Sequence, residues 1–196
     1  MPIMRVSSSE LELVKPMLCK SVSLEQLKNL DSNKYGAELK LDGMRAIVYT
    51  LDNEVRVFGR SGIEYTKHLS GEMIDNLFKT LPSNSIFDGE LCHISAYRQD
   101  AILGLLPVVD FNKTMRVMGS GPAVAREKQK DTIITFVMFD VIQLANESMF
   151  NTNYSWRMDE LTNIGIYNRN SYCDIVTGKA CFHFSKPFMV LLYSSI

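Results

Sequence analysis

Glu38-Leu39-Lys40-Leu41-Asp42-Gly43-Met44-Arg45 sets a lysine between carboxylates, just ahead of a glycine and an arginine. The flanks alternate as strands do: residues 35–41 lead in, and residues 46–50 lead out with Ile47, Val48 and Tyr49. The pattern predicts Lys40 at the end of one strand, beside a turn where Gly43 gives the chain its freedom to reverse. A lysine held there, partly desolvated and crowded by other cations, is freed to act as a nucleophile. Arg45 supplies the crowding and, with its planar fork, a two-pronged anchor for an oxyanion.

Outward from this stretch, residues 51–54 (Leu-Asp-Asn-Glu) read as a hairpin turn and residues 55–59 as the returning strand. Val55, Val57 and Gly59 fall on one face of it, Arg56 and Phe58 on the other. Gly59-Arg60-Ser61-Gly62 follows, a tight loop that presents Arg60. On its own it reads as a surface turn with a solvated arginine. Leu69, Met73, Leu77 and Leu81, with Ile74 and Phe78 beside them, recur at helical spacing and predict an amphipathic helix over 68–81. Residues 86–91 (Ile-Phe-Asp-Gly-Glu-Leu) read as a strand whose Asp88 and Glu90, two apart, share a side. Such a carboxylate pair needs a cation, a hydroxyl or a metal to answer it.

Ahead of the lysine, residues 7–20 read as irregular and extended near Pro16. Ser23 with Gln26 three residues later is a capping box, predicting a short helix over 24–30. Residues 96–106 read as helix. Residues 110–131 are locally basic, through Lys113, Arg116, Arg126, Lys128 and Lys130; this is a solvated helix face or a surface turned to DNA. Residues 132–142, continuously apolar, predict a central strand covered on both sides.

At 196 residues, with 46% hydrophobic and 10% aromatic content, the chain can bury one sizeable core. A net charge of -1 carries no global signature of a nucleic-acid binder, so any such contact is local. Cys19, Cys92, Cys173 and Cys181 show no metal-ligand spacing and read as free thiols of a reducing compartment. With no signal-peptide pattern and no run long enough to span a membrane, an intracellular, cytoplasmic location is expected, or else a nucleoid or viral replication site, and not secretion.

Lys40-Leu41-Asp42-Gly43-Met44-Arg45 resembles the lysine motif of the covalent nucleotidyltransferases, the ATP-dependent DNA ligases, RNA ligases and mRNA-capping guanylyltransferases. The Arg60-Ser61-Gly62 loop, the Asp88-Gly89-Glu90 string and Phe139-Asp140-Val141 are similar to further ligase motifs, in the family's order. Pro16-Met17-Leu18 is similar to the lead of many ligase catalytic domains, and Trp156-Arg157-Met158 resembles the arginine-bearing helix after the phenylalanine motif. The resemblance, spanning about residues 15–161, is to the adenylation domain of an ATP-dependent DNA ligase. It implies an α+β, antiparallel-sheet-rich, ATP-grasp-like nucleotidyltransferase fold that is incomplete at the C-terminus.

By this resemblance Lys40 is the nucleophile that takes up AMP, and Asp42 a catalytic group near the metal or the 3′ end. Glu38 belongs to the adenine-binding strand, Arg45 and Arg60 contact ribose or phosphate, Glu90 serves ribose and metal, and Phe139 stacks on adenine. ATP and Mg²⁺ are the implied cofactors, ATP rather than NAD because NAD-dependent relatives usually lack an arginine at position 45. Nicked duplex DNA is the implied partner, and a monomer is expected, its site completed where needed by a separate C-terminal chain. The expected division is a ligase portion over 1–163 and a divergent or out-of-frame tail over 164–196, without the later ligase motifs or OB domain. A capping guanylyltransferase, an RNA ligase and an inactive nucleotide- or DNA-binding remnant stand as alternatives.

Overall fold

The computed structural model describes residues 11–15, 23–31, 40–100 and 104–167. Its frame is a five-stranded antiparallel sheet in the order β2-β1-β3-β6-β7. The strands are β1 (Met44–Thr50), β2 (Val55–Gly59), β3 (Ser85–Cys92), β6 (Thr135–Leu144) and the short β7 (Glu147–Ser148). Between β3 and β6 the chain makes a separate antiparallel pair, β4 (Ile94–Asp100) with β5 (Gly104–Val109). The helices are α1 (Leu24–Lys28), α2 (Gly71–Thr80), α3 (Phe111–Met118), α4 (Pro122–Lys128) and α5 (Tyr154–Tyr167), and a 3-10 turn runs over Thr66–His68. This is the α+β, antiparallel-sheet-rich architecture that the sequence predicts.

The two-residue period of the strands sorts their side chains onto two faces. Ala46, Val48, Val57, Phe87 and Leu91 face the main core, where Met73 and Leu77 of α2, Val117 and Met118 of α3, Ala125 of α4 and Leu161 of α5 meet them. Full burial of a side chain as large as Phe87 is worth about 3 kcal/mol of apolar transfer. The other face carries a smaller cluster of Ile47, Tyr49, Leu51, Phe58 and Ile86, against which Leu11 and Val14 pack. Tyr49 and Phe58 meet edge to face with ring centroids 5.5 Å apart, and the Tyr49 hydroxyl accepts the Val14 N–H at 2.7 Å. Residues 11–15 thus form a strap across the face opposite the helices.

Several sequence expectations hold in detail. Ser23 and Gln26 cap reciprocally, Gln26 N–H donating to Ser23 Oγ at 3.1 Å and Ser23 N–H to Gln26 Oε1 at 2.8 Å. Leu69, Met73, Leu77 and Leu81 all enter the core, although the helix itself begins at Gly71, where Ser70 Oγ accepts the Met73 N–H. The basic stretch becomes α3 and α4, whose core residues lie on the helix side of the sheet. Lys128 ties to Arg116 O and Ser120 Oγ, Lys130 pairs with Glu127, and Arg126 donates to Lys67 O. Cys92 is free and buried, its thiol pushed up to about 12 by burial and, secondarily, by the charge of Glu90.

Others are corrected. Residues 96–106 are not helical; they belong to the β4–β5 pair, with Tyr97 opposite Pro107 and Gln99 opposite Leu105. Ala96 and the leucines at 105 and 106 are good helix formers, but propensity is a small term that pairing overrides, and Pro107 lacks the N–H that a helix interior would use, so strand pairing prevails. Strand β3, not β6, is central, because only a two-residue strand lies beyond β6. Lys40 is not on a strand: β1 starts at Met44, while residues 32–39, with the predicted lead-in strand and Glu38, lie outside the described residues. Helix α5 runs through Tyr167, and its Ile164 packs in the core.

Candidate functional site

Alternation places Arg45, Ile47 and Tyr49 of β1 on the same face as Ile86, Asp88 and Glu90 of β3, opposite the helices. The chemistry gathers at one end of that face. Arg45 lies directly across from Glu90 in the ladder and reaches diagonally to Asp88, Nε donating to Oδ1 at 2.5 Å and Nη2 to Oδ2. The side chains are 17% and 5% exposed, so this is a buried two-pronged pair. Burial raises the Asp88 carboxyl above its ordinary value and outweighs the lowering by Arg45; Asp140 beside it adds to the rise. The cation demanded by the carboxylate pair is therefore Arg45.

Gly43 explains how the lysine segment meets this pair. The chain bends at Gly43, as expected, but the backbone there is not left-handed; the requirement for glycine is proximity. A Cβ at Gly43 would collide with Leu91 O and stand 2.8 Å from Glu90 Cγ. Pressed against β3 in this way, Gly43 donates its N–H to Glu90 Oε1 at 3.1 Å. Glu90 is pushed up to about 7, first by burial, while Arg45, the Gly43 N–H and Lys40 pull it down and Asp88 pushes it up. Lys40 is not desolvated: its side chain is 57% exposed and its Nζ pairs with Asp42 Oδ1 at 2.7 Å.

Phe139 reaches the site through an irregularity of β6. The ladder pairs Asp88 with Asp140 and then Gly89 with Met138, so Phe139 is an extra residue with no partner on β3. A bulge of this kind re-aims a side chain, and the Phe139 ring comes to lie under Arg45, whose Cζ is 4.7 Å from its centroid. Gly89 is needed beside it, since a Cβ there would stand 2.5 Å from both Phe136 Cε2 and Val137 O. Asp140 in turn is held by Arg157 of α5, Nε to Oδ1 at 2.6 Å and Nη2 to Oδ2 at 3.1 Å.

Arg60 stands apart from this group. The β1–β2 ladder ends with Ala46 opposite Gly59, which puts Arg60 one step beyond, on the Arg45 side. The turn there is closed by Gly62, whose φ of 80° suits glycine. Arg60, Ser61 and Gly62 line a cavity of about 370 Å³ with Tyr49, Phe58 and the strap residues Val14 and Lys15. The structure thus brings Arg45, Glu90 and Phe139 together, sets Lys40 and Asp42 at their margin, and leaves Arg60 at the rim of a neighbouring cavity. Sequence reasoning placed Asp140 and Arg157 inside ligase-like strings but gave neither a role at the site, because the partners lie seventeen positions apart and nothing in either segment announces the pairing.

Among the described residues no three His, Cys, Asp or Glu side chains converge as a metal site. Asp88 is taken by Arg45, which leaves Glu90 as the carboxylate suited to a cation. That donor set fits Mg²⁺, which keeps its waters and is commonly held by one or two carboxylates with substrate phosphates. No described helix is long and apolar enough to cross a membrane.

The sequence matches the ATP dependent DNA ligase domain family over residues 16–186. DNA ligase 4 of Gallus gallus is 25% identical over 160 residues, covering 76% of this chain and 16% of that protein. The crystal structure of the ligase domain from M. tuberculosis LigD superposes with a TM-score of 0.51 at 21% identity, covering 71% of this chain and 40% of that one. The chain therefore spans less than half the length of either relative. These likenesses favour neither the capping guanylyltransferases nor the RNA ligases. A match over most of its residues, on a fold shared with a ligase domain, makes this chain a member of the ATP-dependent DNA ligase domain family.

Proposed function

We propose that the open sheet face binds ATP and carries the adenylation step of nick sealing in duplex DNA. The observation behind this reading is the Arg45 guanidinium stacked on Phe139 beside Glu90 and the Gly43 N–H. A flat ring, a fixed cation and a carboxylate are what a base, a phosphate and a ribose or metal require. Lys40 Nζ attacks the α-phosphorus; a P–N bond forms, the P–O bond to the β-phosphate breaks, pyrophosphate leaves, and the amine loses a proton. Positioning and charge neutralisation do most of the work in such a transfer. Glu90 would hold Mg²⁺, whose charge offsets that of the departing pyrophosphate.

Lys40 must leave Asp42 before it can react, and the nucleotide phosphates are the competing anion. Arg45 and Arg60 orient the phosphates or ribose, Glu38 belongs to the adenine side, and Asp42, once released, faces the metal or the 3′ end of the nick. To these residues we assign the adenylation step alone.

Incubation with Mg²⁺ and α-labelled ATP tests the reading. Acid-labile label is expected on the denatured wild-type chain and none on Lys40→Ala. Label from GTP in preference to ATP would instead indicate a capping-type activity, and a folded chain that takes neither would be an inactive remnant.

A further inference from the structure

We propose that Arg157 is a positioning residue for the nucleotide face: through Asp140 it fixes the ring of Phe139 and keeps Arg45 on Asp88. The part that concerns ATP rests on the adenylation reading; the part that concerns Arg45 does not.

Phe139 has no partner on β3, so backbone pairing does not set its position. Its neighbours do, and the one that follows it, Asp140, is clamped. Arg157 turns one edge of its fork on it: Nε and Nη2 grip both carboxylate oxygens, while Nη1 donates to Thr152 O at 2.6 Å. The Arg157 and Asp140 side chains are only 12% and 10% exposed, and Asp140 Oδ1 also accepts the Val141 N–H at 2.9 Å. The carboxylate just after the bulge is thereby held to the strand and to the helix at once.

Charge extends the effect to Arg45. Asp140 and Asp88 face one another across the β3–β6 ladder, both buried, each with its own guanidinium. Without Arg157, two opposed carboxylates would have the Arg45 guanidinium to share. Arg45 would be drawn toward Asp140, and its stacking on Phe139 would loosen. The alternative is that Arg157 only braces α5 against β6; it would then affect stability and leave Arg45 where it is.

Side-chain NMR on the ¹⁵N-labelled 196-residue chain separates the two. The face of Phe139 imposes a ring-current shift on the Arg45 side-chain protons, and the bond to Asp88 slows solvent exchange at Arg45 Nε–H. In Arg157→Met both marks should weaken, exchange rising about tenfold, the loss expected for one charge-assisted hydrogen bond. Arg157→Lys keeps the charge without the fork and should show a smaller change of the same sign; if Arg157→Met does not fold, this variant decides. In parallel, the ATP concentration for half-maximal Lys40 labelling should rise in both. Unchanged Arg45 signals in a folded variant would reduce Arg157 to a brace and overturn the proposal. Altered signals with unchanged half-saturation would overturn its positioning role. A wild-type chain that takes no ATP would sink the adenylation reading, while the Arg45 signals would still decide whether Arg157 holds the pair.

Discussion

Glu90 owes its raised carboxyl mainly to the sheet that buries it. In the folded chain it stays protonated up to about 7, whereas the unfolded side chain ionises near 4.5. The folded state therefore binds more protons in that window, and the contribution of Glu90 to stability falls as pH rises through it. Glu90→Gln should remove this slope. Measured by urea titration, the stability of wild type relative to Glu90→Gln should decline by about 1–3 kcal/mol between pH 4.5 and 8. A difference that does not change with pH would mean that Glu90 ionises in the fold as it does in the unfolded chain. The sequence made Glu90 visible as half of a carboxylate pair; it did not reveal that Arg45 would commit to Asp88 and leave Glu90 to the Gly43 N–H. Likewise the role of Gly43 was legible as glycine's freedom but is in fact one of space, which depends on a strand more than forty residues away.

At the scale of elements, local signals were read well where local chemistry decides. The reciprocal cap of Ser23 and Gln26 and the leucine-methionine stripe of α2 are of this kind. Ser70 Oγ accepts the Met73 N–H at 3.2 Å at the start of α2, so Ser70→Ala should cost about 1 kcal/mol, seen as a lower thermal midpoint. No change would show that the Ser70 N–H bond to Gln129 suffices to fix that end. The β4–β5 hairpin was misread because nothing within residues 96–106 announces the partner strand. Its identity comes from pairing between residues such as Tyr97 and Pro107, not from either segment alone. The bulge in β6 was invisible for the same reason, since a continuous apolar run carries no mark of which residue the ladder will skip.

For the molecule as a whole, one sheet divides two tasks: helices cover one face, and the strap of residues 11–15 covers part of the other. The motif order made the family legible before any coordinate, because four separated strings occur along the chain in the order the family has them. The strap was not legible, because residues 7–20 carry no periodicity that would say where they rest. Its tether is the bond from Val14 N–H to the buried Tyr49 hydroxyl. Tyr49→Phe should cost about 1 kcal/mol and speed amide exchange at Val14, with little change in the rest of the sheet. Exchange at Val14 as slow as in wild type would assign the strap to its apolar contacts alone.

The ladder between β3 and β6 passes from Asp140 to Met138 without using Phe139. In the sheet's own count this residue is surplus, so loss of its single codon would leave the cross-strand pairs intact while erasing the aromatic platform. The strand ladder and the Arg45–Phe139 stack are therefore separately heritable in this chain: a lineage can shed the second by one in-frame deletion and keep the first.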